Sequence, residues 1–163
     1  MYTLRRMLGI EMSEVETMMR ELPSPVDACG TSVESGWIRL LFVDSRMDFA
    51  RLIQLYLQEL AIGHVVGDAG TQQQALDLTR QTRPNVIVTA VSGLTPFEWI
   101  PTIVREFPET HVLVWTGFVH GEVIRASFES GAIGYLSKPA TRDVLIDAIC
   151  AVAAGETFLL CLG

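Results

Sequence analysis

From Ile38 onward the chain alternates short, unbroken apolar runs with longer stretches in which apolar residues recur every three or four positions. The runs Ile38–Val43, Val86–Thr89, Val112–Trp115 and Ile133–Leu136 hold almost no charged residue, as strands buried on both faces do. A shorter run, His64–Gly67, makes a further strand. Between the runs, Phe49, Leu52, Ile53, Tyr56, Leu57 and Leu60 share one helical face, as do Val144, Leu145, Ala148, Ile149 and Val152. Helices are also expected through Ala75, Leu76 and Leu78, with Pro96 in the first turn of the next, and around Glu122–Ser130. Local signals agree. Ser45 with Asp48 and Thr71 with Gln74 have capping-box spacing, Thr141 caps a helix over Arg142–Ala154, and Gly155 stops it. Five strands alternating with five helices predict an α/β domain with a doubly wound parallel sheet and right-handed crossovers.

Ahead of this domain, Met1–Leu22 reads as an extra helix. Leu4, Leu8, Met12, Val15, Met19 and Leu22 form one stripe, and five of the six methionines lie in this segment. A stripe of this kind suits packing on its own domain, or dimerisation or an interaction with a partner; a mostly disordered tail is the third reading. Pro23, Ser24, Pro25, Gly30, Thr31, Ser32 and Gly36 mark a linker. The expected organisation is therefore an N-terminal helix and linker over 1–36, an α/β domain over 37–155 and a short tail over 156–163.

Composition narrows the function. The 163 residues carry a net charge of −7 and no clustered Lys and Arg, so direct nucleic-acid binding is not expected. Cys29, Cys150 and Cys161 are odd in number and lack CxxC spacing, which suits reduced thiols in a cytoplasmic protein. Arg5 and Arg6 precede a stretch broken by Glu11 and Glu14, unlike a signal peptide. No run approaches the ~20 apolar residues of a membrane span, and no membrane association is expected.

The residues that end the strands carry the chemistry. Asp44 follows the first run, Thr116 the fourth, and Lys138 with Pro139 the fifth, whereas the third runs into Ala90. In parallel α/β sheets the carboxyl ends of the strands line a crevice where reactive groups gather. A carboxylate, a hydroxyl and an ammonium meeting there describe a phosphoryl or metal site.

The stretches LLFVDS, RPNVIVTAV, HVLVWTG, SGAIGYLSKPA and DAICAVAAGETFL together resemble the receiver domain of two-component response regulators, especially receivers that precede helix-turn-helix output domains. The resemblance covers Ile38 to about Ala154. It implies a flavodoxin-like, five-stranded sheet of order 2-1-3-4-5. It also implies a site in which two acids after the first strand hold Mg²⁺ and an aspartate ending the third strand accepts phosphate from a histidine kinase. By the same resemblance, Asp44 matches the first acid, Thr116 and Lys138 the groups that grip the phosphoryl oxygens, Pro139 the cis proline and Tyr135 the switch aromatic. Two positions depart: Ser45 stands for the second acid and Ala90 for the phosphoacceptor. Leu94 also replaces the usual proline of the loop, the nearest proline being Pro96.

A methyl group cannot attack phosphorus, since aspartyl phosphate chemistry needs a carboxylate nucleophile. Mg²⁺ binding should be weak or absent, with no other cofactor and no enzymatic activity. Lys138 is expected to pair with Asp44, the alternatives being a small anion or other ligand held by Lys138 and Thr116, or solvated side chains with no role. Hydroxyl acceptors at Ser45, Thr89 or Ser92 are disfavoured because no base stands near them, and His64, His111 and His120 read as ordinary surface histidines. Trp99 and Trp115 read as core or half-buried residues. Phe97 and Trp99 offer an alternative plug for the unused pocket, and Trp37 packing for the linker or N-terminal helix. The expected function is that of a degenerate, phosphorylation-independent receiver. It would act through protein partners: a histidine kinase, another regulator, or a second copy in a homodimer. The faces implied are helix 4–strand 5–helix 5, or helices 1 and 5. The alternatives are a conventional phosphoacceptor receiver, or the receiver part of a transcription regulator whose DNA-binding domain is absent from this chain.

Overall fold

The apolar runs become the strands of one sheet in which every pair is parallel. The computed structural model describes residues 37–44, 48–90 and 98–161. The expected N-terminal helix and linker, Cys29, Ser45 and the loop residues Ser92, Leu94, Pro96 and Phe97 lie outside the described residues. In chain order the elements are β1 Ile38–Val43, α1 Asp48–Glu59, β2 Gly63–Ala69, α2 Gln72–Thr82, β3 Val86–Thr89, α3 Ile100–Glu106, β4 His111–Thr116, α4 Gly121–Glu129, β5 Gly134–Ser137, α5 Arg142–Ala153 and β6 Phe158–Leu160. The sheet order is β2-β1-β3-β4-β5-β6.

The sixth strand revises the expected five. Phe158–Leu160 falls in the stretch expected as a tail, yet it pairs with β5, Gly134 opposite Phe158 and Leu136 opposite Leu160. Gly155, at φ 78°, turns the chain after α5, and Phe158 N–H then donates to Ile133 O at 3.0 Å. The gain is physical: β6 satisfies backbone groups along an otherwise open edge of β5. A three-residue run is too brief to announce a strand by its pattern.

Side chains alternate across the sheet with period two and build a core on each face. Leu40, Phe42, Val86, Val88, Leu113, Trp115 and Leu136 meet α1 through Ala50, Ile53 and Leu57, and α5 through Leu145, Ile149 and Val152. Leu41, Val43, Ile87, Val112, Val114 and Tyr135 meet α2, α3 and α4 through Ala75, Ile100, Ile103, Val123 and Ile124. Each fully buried Leu or Ile contributes about 1.5–3 kcal/mol relative to exposure, so these two layers carry the fold.

The caps refine the sequence reading. Thr71 Oγ1 accepts from Gln74 N–H at 3.2 Å, but Gln74 reaches back to Gly70 N–H rather than to the cap residue. Thr141 Oγ1 accepts from Val144 N–H at 3.4 Å. Strand β2 is longer than expected because it pairs along the whole of β1, from Ile38 opposite Gly63 to Val43 opposite Ala69, and the register shifts by one between Leu40 and Leu41, leaving Val66 as the extra residue. Helix α3 begins at Ile100, with Pro101 in its first turn.

Candidate functional site

The parallel register brings the strand ends together. Val43 is opposite Thr89, Thr89 opposite Val114, and Thr116 opposite Ser137, so Asp44, Ala90 and Lys138, which follow β1, β3 and β5, and Thr116, which ends β4, gather at the carboxyl ends of adjacent strands. Backbone bonds fix their starting points. Asp44 N–H donates to Ala69 O at 3.0 Å, Ala90 N–H to Val43 O at 2.9 Å, and Lys138 N–H to Thr116 O at 2.7 Å. Ser45 lies outside the described residues.

Lys138 Nζ lies 3.8 Å from Asp44 Oδ2, and the Asp44 side chain is only 7% exposed. The same ammonium sits 4.4 Å from the centre of the Trp115 ring. An ammonium over an indole face gains about 0.5–2 kcal/mol, more as water is excluded. Trp115 is itself buried and meets Phe42 edge-on, with ring centres 6.5 Å apart. A carboxylate and an aromatic face therefore both engage Lys138. The Lys138–Pro139 peptide is cis.

Thr116 is buried, and its Oγ1 accepts from Phe118 N–H at 3.2 Å. Tyr135 is fully buried, and its hydroxyl donates to Phe118 O at 2.6 Å. The backbone of Phe118 is thus held from both sides, by the hydroxyl ending β4 and by the aromatic of β5. Burial, with a smaller contribution from the Cys161 thiol, pushes the Tyr135 phenol above its ordinary value, and burial also pushes Cys161 up.

The other singled-out residues separate from this cluster. Trp99 packs in the core of the α2–α4 face, and Phe97 is outside the described residues. Trp37 is 54% exposed, its indole N–H donating to His64 Nδ1. The sequence reading missed the part played by Trp115, whose run HVLVWT reads as core. The available signal was a large aromatic directly before the strand-ending threonine. Phe118 was missed as well, because its contribution is backbone alone.

A doubly wound parallel sheet with a carboxylate, a hydroxyl and a lysine before a cis proline at the carboxyl ends of its strands is an α/β domain of the flavodoxin-like kind. The chain belongs to the response regulator receiver domain family, whose profile matches residues 40–150. Among relatives, it is 35% identical over 94 residues to the uncharacterized transcriptional regulatory protein YxjL of Bacillus subtilis, covering 56% of this chain and 43% of that one. It is 28% identical over 123 residues to the transcriptional regulatory protein MctR of Rhizobium johnstonii, covering 74% and 58%. The chain thus spans about half the length of these curated relatives. A two-component response regulator of the LuxR family from an Aurantimonas species has the same fold, with a TM-score of 0.68 and 24% identity over 76% of this chain and 90% of that one. Among the described residues, no helix is long and apolar enough to cross a membrane.

Proposed function

We propose that this receiver signals without being phosphorylated, as a protein-interaction module of the cytoplasm and not as an enzyme. The observation that carries the reading is the end of β3. Ala90 stands there with a methyl group, while Lys138 is turned to Asp44 and to the face of Trp115. A methyl cannot form an acyl phosphate, which needs a carboxylate oxygen as nucleophile. The oxygens present fit Mg²⁺ poorly. That ion favours one or two carboxylates together with phosphate, and Asp44, with serine as its neighbour, already faces an ammonium at 3.8 Å.

Tyr135 supplies the second support, being buried and bonded to Phe118 O in the inward position that the resemblance links to activation. With no phosphate to shift this arrangement, a partner must set its state through different affinities for the two conformations. The partner is a protein: a histidine kinase, another regulator or a second copy of the chain. The relatives' names as transcriptional regulators favour a place in transcription control, reached through such a partner or an output domain, without direct contact between this domain and DNA.

The test is a gain of function. Ser45→Asp/Ala90→Asp restores both missing carboxylates, and with Mg²⁺ and acetyl phosphate this variant should acquire one phosphoryl adduct in its intact mass. A folded double variant that stays unlabelled would contradict the assignment of these two positions as the ones that silence the site.

A further inference from the structure

We infer that the outward face of α1, with Leu60 and Trp37 at its foot, is the docking site for residues 1–22 of the same chain. Four large apolar residues stand exposed among the described residues: Leu52 at 40%, Leu55 at 55%, Leu60 at 44% and Trp37 at 54%. Ala50, Ile53 and Leu57 turn α1 toward the sheet. Leu52, expected from the apolar spacing on the face of Ile53, is instead exposed; at about 100° per residue it falls with Leu55 away from the sheet, on either side of Glu59, which pairs with Arg142 of α5 at 2.8 Å. That side also carries Arg51, Gln58 and Glu59, so the two leucines are apolar points on a mixed face, and covering them gains roughly 25 cal/mol per Å² removed from water.

The occupant follows from where the chain enters the domain. Ile38 N–H donates to Ile62 O at 2.9 Å, which sets Trp37 beside the turn that follows α1. The bond from the Trp37 indole to His64 ties its ring to the same corner. The preceding segment therefore joins the domain at the foot of the patch. Residues 23–36 can span roughly 46–50 Å when extended, against about 18 Å for the length of α1. Residues 1–22 thus reach the whole face. Tethering holds them near it at an effective concentration in the ~millimolar range, above what a second copy would supply at micromolar concentrations.

The sequence of the segment fits the surface. Its stripe of Leu4, Leu8, Met12, Val15, Met19 and Leu22 offers an apolar ridge, with methionines able to adapt to two isolated leucines. Glu11 and Glu14 border the centre of that ridge, and Arg51 borders Leu55 on α1. Docked this way, the segment would sit over one of the two faces through which a receiver meets partners.

Hydrogen exchange on the full chain, with light scattering for mass, tests the proposal. Amides of residues 4–22 should exchange roughly tenfold or more slowly than an unstructured chain. In Leu52→Lys/Leu55→Lys that protection should be lost while β3 and β4 stay protected, and both proteins should have single-chain mass. Should the variant lose β3 and β4 protection, Met12→Lys/Val15→Lys takes its place. That pair lies outside the described sheet, and it should expose the α1 amides to faster exchange. Unprotected residues 4–22 in the native chain, protection indifferent to both variants, or protection that appears only with doubled mass would each overturn the proposal, the last in favour of a second copy.

Discussion

Lys138 gains its character from the residue beneath it. An ammonium over the Trp115 ring and 3.8 Å from Asp44 has partners on two sides. Removing one member of a fully buried pair costs roughly 3–5 kcal/mol. Here the Lys138 side chain is 27% exposed, so water recovers part of that cost. Lys138→Met should therefore destabilise the domain by about 1–2 kcal/mol, and adding Asp44→Asn should return most of the loss, because the carboxylate no longer needs a counter-charge. Denaturant unfolding of the two variants measures both steps, and a strictly additive pair would remove the coupling. At this scale the grouping of Asp44, Ala90, Thr116 and Lys138 and the pairing of Lys138 with Asp44 were legible in the sequence, since each residue marks the end of an apolar run. Trp115 was not readable, because a buried indole in a strand and an indole beneath an ammonium leave the same letter in the same pattern.

Between elements, the decisive contact is the hold of β5 on the loop after β4. The Tyr135 hydroxyl donates to Phe118 O, and Thr116 accepts from Phe118 N–H. Burial keeps the phenol protonated to higher pH in the folded chain than in the unfolded one. The unfolded state therefore releases its proton first. This contribution to stability is fully present below about pH 10 and is lost as the pH rises above it. Tyr135→Phe should lower stability near neutrality by about 1–2 kcal/mol, for a buried hydrogen bond whose acceptor is left behind. It should also soften the alkaline decline. Thermal melts from about pH 7 to pH 11 check both, and equal alkaline slopes in the two proteins would argue against the role given to this phenol. On the other face of β5, Gly134 makes room for α5: a Cβ there would lie 2.6 Å from Val152 Cγ2 and 2.7 Å from Leu113 Cδ1, so a larger residue would force these side chains to shift. The elements themselves followed from periodicity, as with Leu145, Ala148, Ile149 and Val152. β6 and the register shift in β2 did not, because both are set by pairing with a neighbour and not by local pattern.

For the molecule as a whole, alternation of strands and helices sufficed to specify a doubly wound sheet, because buried parallel strands admit few other arrangements. The state in which the domain signals is a different matter. As proposed, it depends on Ala90, which follows β3, and on the Asp44–Lys138 pair beside it. In a phosphoaccepting receiver, Mg²⁺ and a phosphodonor shift the population of two conformations. In this chain the same reagents meet a methyl at residue 90 and an ammonium already paired. The most direct test is the amide NMR spectrum of the native chain, recorded before and after addition of Mg²⁺ and acetyl phosphate. No change is expected at Asp44, Ala90, Thr116, Phe118 or Tyr135 and none in intact mass, whereas new shifts at these amides together with a phosphoryl adduct would overturn the phosphorylation-independent reading.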